Sequence, residues 1–158
     1  MSEHDGHDHL DERPDRPVHD PRAGCVFCAI LAGTRGADFV LREPAAAAFL
    51  DVKPLFKGHV LVVPATHVET LPDMPPELLA PFFSAVQRVC RAVEEGLGAH
   101  GSFVAINNKV SQSVPHLHAH VVPRRRKDGL RGFFWPREPY ASDGEREEFA
   151  ARIRAVLR

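Results

Sequence analysis

The sequence predicts an α+β fold with an antiparallel sheet, and the order of its apolar segments is the main evidence. Short strand-like runs come first, one long segment with helical spacing follows, and two more strand-like runs come after it. Strands grouped on either side of one helix, rather than alternating with helices, are typical of antiparallel sheets. With 158 residues, 44% of them hydrophobic, the chain is long enough to form one domain with a packed core.

The first part of the chain predicts a short helical turn and three strands. Residues 25–33 form the turn, which a glycine ends. Residues 39–43 and 45–52 predict two strands separated by a proline, and the β-branched run at residues 59–64 predicts a third.

A long helix follows these strands. Pro75 and Pro76 indicate its start, and it is expected to run to about Glu95, where Gly96 and Gly98 stop it. Its apolar positions follow helical spacing, which predicts one buried face. These positions are Phe82, Val86, Val89, Cys90, Val93 and Leu97.

The last third of the chain predicts two more strands and a final helix. The strands span residues 103–107 and 116–122. Ser142 and Glu145 have the spacing of a capping box, which predicts that a helix starts there. The apolar stripe of this helix consists of Phe149, Ile153 and Leu157.

The composition divides the chain into three regions. Residues 1–24 are polar and predict a disordered tail, residues 25–126 the folded domain, and residues 127–158 an extension packed on it. The tail histidines indicate either metal scavenging or a solvated linker, and their sparse apolar surroundings favour the linker. The aromatic residues 133–135 predict burial against the domain or a second subunit, with closure over a nucleotide base as the alternative.

Charge and hydropathy exclude several classes of protein. The net charge is −1, which disfavours a nucleic-acid-coating protein, and the basic run at residues 124–127 is interpreted as a solvated loop. No apolar run approaches the ~18–20 residues of a membrane span. The polar N-terminus predicts no secretory signal. Three cysteines are too few for a disulfide scaffold and predict a cytoplasmic protein.

Three alternating histidines, His116, His118 and His120, are the strongest indication of chemistry. Side chains alternate along a strand, so the three imidazoles are expected on one face. The opposite face carries Leu117, Ala119 and Val121. Core packing does not explain such an arrangement. A metal site and a nucleophilic imidazole both remain open, although ~13 Å along the strand separates the outer two histidines, too far to share one ion.

The alternating histidines, followed by Pro123 and Arg124, resemble the signature of the histidine triad (HIT) family of nucleotide hydrolases and transferases. Residues 49–52, residues 58–67 and residues 112–114 resemble further motifs of this family in the same order. The resemblance covers about two thirds of the chain. It implies a HIT-like fold with about five antiparallel strands, one long helix and a C-terminal helix.

The resemblance also implies roles for the histidines. His118 would attack the α-phosphorus of a nucleotide, and water would cleave the resulting nucleotidyl-imidazole to a nucleoside monophosphate. His120 would contact phosphate or the leaving group, and His59 would complete the cluster. A neutral imidazole suits the first of these roles because it has a free lone pair near neutral pH.

The nucleotide-binding residues follow from the same resemblance. Asp51 corresponds to the ribose-binding carboxylate of the family, while Gln112, Ser113 and Val114 correspond to groups around the phosphates, with Asn107 as a further candidate. A purine nucleotide substrate and a homodimer are implied, without a membrane or nucleic acid as partner.

The sequence departs from the family pattern in the loop before the histidines. Residues 107–112 contain no glycine where the nucleotide-binding branch usually has them. Glycine allows positive φ angles and close approach of the backbone to phosphate. Lys109 offers a positive charge for a longer polyphosphate, or it is simply a solvated loop residue.

The Cys25-x-x-Cys28 motif indicates a redox pair, two free thiols or half of a zinc site. It follows the polar tail and precedes only a short turn, unlike a thioredoxin-type motif, which favours zinc. Some members of the resembled family have two cysteines and two histidines. On that likeness His67 and His116 would complete a closed, structural zinc site. No organic cofactor is expected.

The resulting hypothesis is a nucleotide hydrolase that acts on nucleoside phosphoramidates or dinucleoside polyphosphates. Two alternatives remain open. One is a dinucleoside polyphosphate phosphorylase, in which phosphate replaces water. The other is a nucleotide-binding, zinc-stabilised module with little catalysis.

Overall fold

A five-stranded antiparallel sheet forms the centre of the fold, and the predicted α+β class is confirmed. The computed structural model describes residues 22–130 and 138–157. Both the predicted tail up to residue 21 and the aromatic residues 133–135 lie outside the described residues. The chain divides into two units, one ending at Arg126 and the other beginning at Lys127, and each is described by itself.

The strands are short and follow the order β1-β2-β3-β5-β4 across the sheet. All neighbouring strands pair in antiparallel fashion. The strands are β1 Phe39–Arg42, β2 Ala46–Leu50, β3 Val60–Pro64, β4 Gly101–Ile106 and β5 Ala119–Arg124. Each predicted strand is therefore present, with bounds that shift by up to three residues.

Two α-helices belong to this unit, α1 at Val26–Leu31 and α2 at Pro76–Leu97. The predicted end at about Glu95 is two residues early, because the helix continues through Gly96 to Leu97, whereas Gly98 stops the helix as predicted. Its cap is Gly98, which has a left-handed φ of 58° and donates its N–H to the carbonyl of Glu94. None of the described helices is both long and apolar enough to cross a membrane.

The two helices cover opposite faces of the sheet and bury a separate cluster each. Side chains of α2, including Phe82, Val86 and Val89, pack against Val62 and Val121 in the larger cluster. The smaller cluster joins α1 to the other face, and its members are Cys25, Phe27, Ile30, Ala47, Phe49, Leu61 and Val63. Alternation along β2 and β3 explains this division, because successive side chains point to opposite faces.

The fifth strand starts later than the sequence predicts. It begins at Ala119, so His116 and His118 precede it, and the predicted strand at residues 116–122 is wrong at its start. The N–H of His116 bonds to Val114 O at 2.8 Å, and the N–H of Leu117 bonds to Val68 O at 2.6 Å. These two N–H groups therefore do not bond to a neighbouring strand. The side chains of residues 116–121 still alternate between the two faces.

The second unit contains α3 at Asp143–Val156, and its predicted cap is confirmed. Ser142 is the N-cap, and its hydroxyl accepts the N–H of Glu145 at 3.1 Å. The predicted apolar stripe is exposed in this unit, with Phe149 45% and Ile153 62% accessible. The ring of Tyr140 packs edge-on against Phe149.

Candidate functional site

The histidines lie on the sheet face that α1 covers. His120 is paired with Leu61 across β5 and β3, and Leu61 belongs to the α1 cluster. The ring of Phe27, from α1, packs edge-on against His118 and His116 at centroid distances of 5.3 and 5.9 Å. The predicted common face is therefore present. Leu117, Ala119 and Val121 are fully buried on the opposite side, as the alternation predicts.

Phe27 is a supporting residue that the sequence analysis missed. It lies between the two cysteines of the motif and touches two of the three histidines. Its ring also packs against Phe49, whose centroid lies 5.5 Å away. The only signal in the sequence was an apolar residue inside a ligand motif, which by itself predicts nothing more than core packing.

His118 is buried, and one backbone contact fixes its tautomer. Its Nδ1 lies 2.8 Å from the carbonyl oxygen of His116. A carbonyl oxygen only accepts hydrogen bonds, so Nδ1 must carry the proton and donate. The lone pair of the neutral ring is then on Nε2, the nitrogen that is free to attack an electrophile.

His59 and His120 form a second contact pair beside His118. Nε2 of His59 lies 3.0 Å from Nδ1 of His120, and the ring centroids of His118 and His120 are 4.9 Å apart. Burial lowers the pKa of His120 to about 4, and the charges of His118 and His59 act in the same direction. Burial also lowers the pKa of His59, against the opposing effect of Asp51. His120 is therefore uncharged near neutral pH, and the lowered pKa of His59 favours its neutral form.

Asp51 lies directly beside this pair at the end of β2. Its Oδ2 is 3.6 Å from Nδ1 of His59, and its Oδ1 accepts the N–H of Lys53 at 2.8 Å. The side chain is 18% exposed, so its carboxylate remains accessible from solvent. A carboxylate in this position can accept hydrogen bonds from sugar hydroxyls.

The loop before the histidines adopts left-handed backbone angles without glycine. Lys109 has a φ of 67° and Ser111 a φ of 60°. Gln112 uses both ends of its amide within the chain, since Nε2 donates to Glu69 O at 2.6 Å and Oε1 accepts the N–H of Lys109 at 2.8 Å. The sequence alone did not indicate that non-glycine residues would adopt these angles. It also did not indicate that Gln112 would close the loop.

The other candidate residues of this loop differ in exposure. Ser113 is exposed, whereas Asn107 and Val114 are half-buried. Val114 packs against the α1 cluster, which places its backbone directly before the buried His116. The neighbouring Asn108 accepts the N–H of Leu71 at 2.9 Å and thereby ties the loop to the segment before α2.

Cys25, Cys28, His67 and His116 form a cluster that could hold a metal ion, as the sequence predicts. One ligand atom from each residue lies within 4.8 Å of all the others. Nδ1 of His116 lies 3.5 Å from Sγ of Cys25 and 3.6 Å from Sγ of Cys28. Nδ1 of His67 lies 3.2 Å from Sγ of Cys28.

The cluster has the dimensions of a tetrahedral site. Zn–S bonds of about 2.3 Å and Zn–N bonds of about 2.0–2.1 Å at tetrahedral angles place sulfur and nitrogen about 3.5 Å apart. The observed separations of 3.2, 3.5 and 3.6 Å lie around this value. Nε2 of His67 is buried and has no hydrogen-bond partner among the described residues, so the polar contacts of this ring point to the cluster.

His116 is oriented for ligation by its second nitrogen. Its Nε2 lies 3.0 Å from the carbonyl oxygen of Pro64, which requires a proton on Nε2 and leaves the lone pair on Nδ1. Burial lowers the pKa of His116 to about 4, which keeps the ring in the neutral form that metals bind.

Asp51, His59 and His120 are also close enough to form a three-residue metal-binding group. However, both ring nitrogens of His59 already have contacts within the chain, one with His120 and the other with the N–H of Leu55 at 3.2 Å. The geometry of this group is that of a hydrogen-bonded chain.

The basic run after β5 is partly structural. Arg125 donates to the carbonyl oxygens of Leu97 and Gly98 at 2.6 and 2.9 Å, at the C-terminal end of α2. A guanidinium in this position satisfies helix carbonyls and complements the helix dipole. The N–H of Arg126 bonds to Nδ1 of the exposed His100.

Known proteins resemble this chain in sequence over most of its length. The protein hit of Bacillus subtilis is 36% identical over 126 residues, which cover 78% of this chain and 86% of that protein. An asymmetrical bis(5'-nucleosyl)-tetraphosphatase of Schizosaccharomyces pombe is 37% identical, covering 59% of this chain and 52% of its own length. The adenosine 5'-monophosphoramidase hnt1 of the same yeast is 29% identical, and the match covers 82% of this chain and 98% of that protein.

Solved structures give the same relationship. A HIT family protein from Bacillus subtilis superposes with a TM-score of 0.77 at 32% identity, covering 85% of this chain and 98% of that one. A zinc-bound histidine triad protein from Mycobacterium smegmatis gives a TM-score of 0.66 at 37% identity, and the match covers 86% of this chain and 99% of that one. The HIT domain model matches residues 33–127. The chain therefore belongs to the HIT family.

Proposed function

We propose that this protein hydrolyses nucleotides at the α-phosphate and releases a nucleoside monophosphate through a covalent intermediate on His118. The observation that carries the proposal is the 2.8 Å contact between Nδ1 of His118 and the carbonyl of His116. It directs the lone pair of a buried imidazole to Nε2, as a nucleophile requires.

The reaction has two steps. Nε2 of His118 forms a bond to the α-phosphorus while the bond from phosphorus to the leaving group breaks. The leaving group departs with the bonding electrons and takes up one proton. Water then attacks the same phosphorus, the phosphorus–nitrogen bond breaks with its electrons returning to Nε2, and the neutral imidazole is regenerated. One water proton stays with the oxygen of the monophosphate, and the other replaces the proton that the leaving group took up. His120 lies beside the nucleophile and donates a hydrogen bond to a phosphoryl or leaving-group oxygen.

Nucleotide binding is assigned to the groups that surround this cluster. Asp51 accepts hydrogen bonds from the ribose hydroxyls. Ser113 and the backbone near Val114 contact phosphate oxygens, and Asn107 is a further contributor to this binding. Gln112 is assigned to the groups around the phosphates as well. Its side chain also closes the loop through its bonds to Glu69 and Lys109.

The substrates are proposed to be purine nucleoside phosphoramidates or dinucleoside polyphosphates. The similarity to a tetraphosphatase and to a phosphoramidase supports both classes. Exposed Lys109, held at a left-handed φ in the loop before the histidines, provides a positive charge for a longer phosphate chain.

The proposal is tested by chromatographic detection of AMP. Adenosine 5'-phosphoramidate and diadenosine tetraphosphate are each incubated with the protein, without added phosphate. We expect AMP from at least one, and a loss of roughly 10,000-fold in rate for His118→Ala with nucleotide affinity retained. Turnover only after phosphate is added would indicate a phosphorylase instead. Nucleotide binding without turnover would indicate a binding module and contradict the proposal.

We further propose that Cys25, Cys28, His67 and His116 bind zinc and that the role of the metal is structural. Two thiolates and two imidazoles form a closed donor set that leaves no position for a substrate. The site would tie the segment before α1 to His116, whose carbonyl in turn orients His118. Similarity to a zinc-bound family member supports this choice of metal. The cytoplasmic location and the homodimer remain predictions.

A further inference from the structure

The segment between β2 and β3 brings a backbone amide to the histidine pair. The N–H of Asp51 bonds to the carbonyl of His59 at 2.9 Å, and the N–H of His59 bonds to Phe56 O at 3.0 Å. These two bonds close the segment at its C-terminal side. Within it, the N–H of Leu55 lies 3.2 Å from Nδ1 of His59, while the leucine side chain is 60% exposed.

This amide determines which nitrogen of His59 carries the proton. A backbone N–H can only donate, so Nδ1 of His59 must be the acceptor and must be unprotonated. The competing partner is the carboxylate of Asp51, which would require a proton on Nδ1, but its oxygen is 3.6 Å away and beyond hydrogen-bonding distance. The neutral ring of His59 therefore has its proton on Nε2.

The tautomer of His59 determines the tautomer of His120. Nε2 of His59 is 3.0 Å from Nδ1 of His120, so the N–H of His59 donates and Nδ1 of His120 accepts. The proton of His120 must then be on Nε2, the nitrogen that points away from His59. The chain of donors runs in one direction, from Leu55 through His59 to His120.

We propose that the backbone amide of Leu55 is a positioning group that fixes the tautomers of His59 and His120, so that His120 presents an N–H to the substrate. In the opposite tautomer, His120 would turn a lone pair toward a phosphoryl oxygen, which is repulsive. The catalytic consequence rests on the proposed hydrolase function. The tautomers themselves are measurable without any substrate.

The first test is a proton–nitrogen NMR spectrum of the wild-type imidazoles at neutral pH. The expected result is an unprotonated Nδ1 and a protonated Nε2 in both His59 and His120. A proton on Nδ1 of His59 would overturn the proposal, because Asp51 rather than Leu55 would then be its partner. This measurement does not depend on any variant being folded.

The second test compares Leu55→Pro, which removes the N–H, with Leu55→Ala, which keeps it and shortens only an exposed side chain. In Leu55→Pro we expect mixed tautomers of His59 and a fall in kcat of about 10-fold or more, with KM changed much less. Leu55→Ala keeps the wild-type tautomers and rate. Wild-type tautomers in a folded Leu55→Pro protein would refute the positioning role. If instead the NMR pattern is as expected but no nucleotide is cleaved, only the hydrolase proposal fails.

Discussion

The chemistry of individual residues depends on a few backbone groups that fix imidazole tautomers. The carbonyl of His116 accepts a hydrogen bond from Nδ1 of His118, and the carbonyl of Pro64 accepts one from Nε2 of His116. Each bond leaves the lone pair on the other nitrogen of the ring. The sequence indicated which residues would meet but not which nitrogen each would offer. That information lies in main-chain positions, which a residue pattern does not encode.

The lowered pKa of His120 predicts that acid destabilises the fold. Burial lowers this pKa to about 4, below the value of about 6.5 in an unfolded chain. The unfolded chain therefore binds the proton more strongly than the folded one. The free energy of unfolding keeps its full value above pH ~6.5 and decreases as the pH falls toward ~4. We expect His120 to account for a loss on the order of 2 kcal/mol in the free energy of unfolding across this interval.

Urea unfolding at about pH 7 and about pH 4.5, compared between wild type and His120→Asn, measures this contribution. The wild-type protein should lose more stability than the variant over the same interval. An equal loss in both proteins would show that the burial of His120 does not perturb its protonation.

At the level of secondary structure, the sequence predicted each strand and α-helix of the described residues but misplaced several ends, and it did not predict the short 3-10 helix at Leu71–Asp73. Gly96 was expected to stop α2, since glycine weakens helices, but packing of Val93 and its neighbours against the sheet outweighs that local cost of about 1 kcal/mol. The start of β5 was misplaced because His116 and Leu117 satisfy their N–H groups elsewhere. Apolar alternation looks the same whether or not the backbone is paired.

Gly58, two residues before β3, adopts a backbone angle that favours glycine. It has a φ of +92°, and an added Cβ would lie 2.3 Å from the flexible end of Leu97. Gly58→Ala should therefore cost about 1–3 kcal/mol of stability, mainly from the backbone angle. Gly36→Ala is the matched control, because nothing lies within 4 Å of its added Cβ.

Denaturant unfolding of the two alanine variants measures this difference. We expect Gly36→Ala to remain within about 0.5 kcal/mol of the wild type. Comparable losses of stability in both variants would contradict the special role assigned to Gly58.

At the scale of the whole molecule, the cluster of two cysteines and two histidines connects distant parts of the chain. Cys28 and His116 are 88 positions apart, yet both contribute to the same cluster. The cysteine motif and the histidines were both visible in the sequence, and the resemblance to the HIT family joined them. The sulfur–nitrogen distances that fit a tetrahedral zinc site came only from the fold.

Loss of a metal ligand should therefore lower both zinc content and global stability. Cys28→Ser should reduce bound zinc from about one ion per chain to a small fraction. Cys90→Ser should not, because Cys90 lies on α2 outside the cluster. At free zinc a hundredfold above Kd, binding stabilises the native state by about 2.7 kcal/mol, so the melting temperature of the first variant should fall. Equal zinc content in the two variants would exclude this cluster as the site.

The most direct test of the central claim is intact-mass spectrometry of the protein, quenched rapidly after it is mixed with a nucleotide substrate. The account predicts a transient increase equal to one nucleotidyl group, mapped by fragmentation to His118 and absent in His118→Ala. Turnover in the wild type with no adduct, or an adduct on another residue, would contradict His118 as the nucleophile.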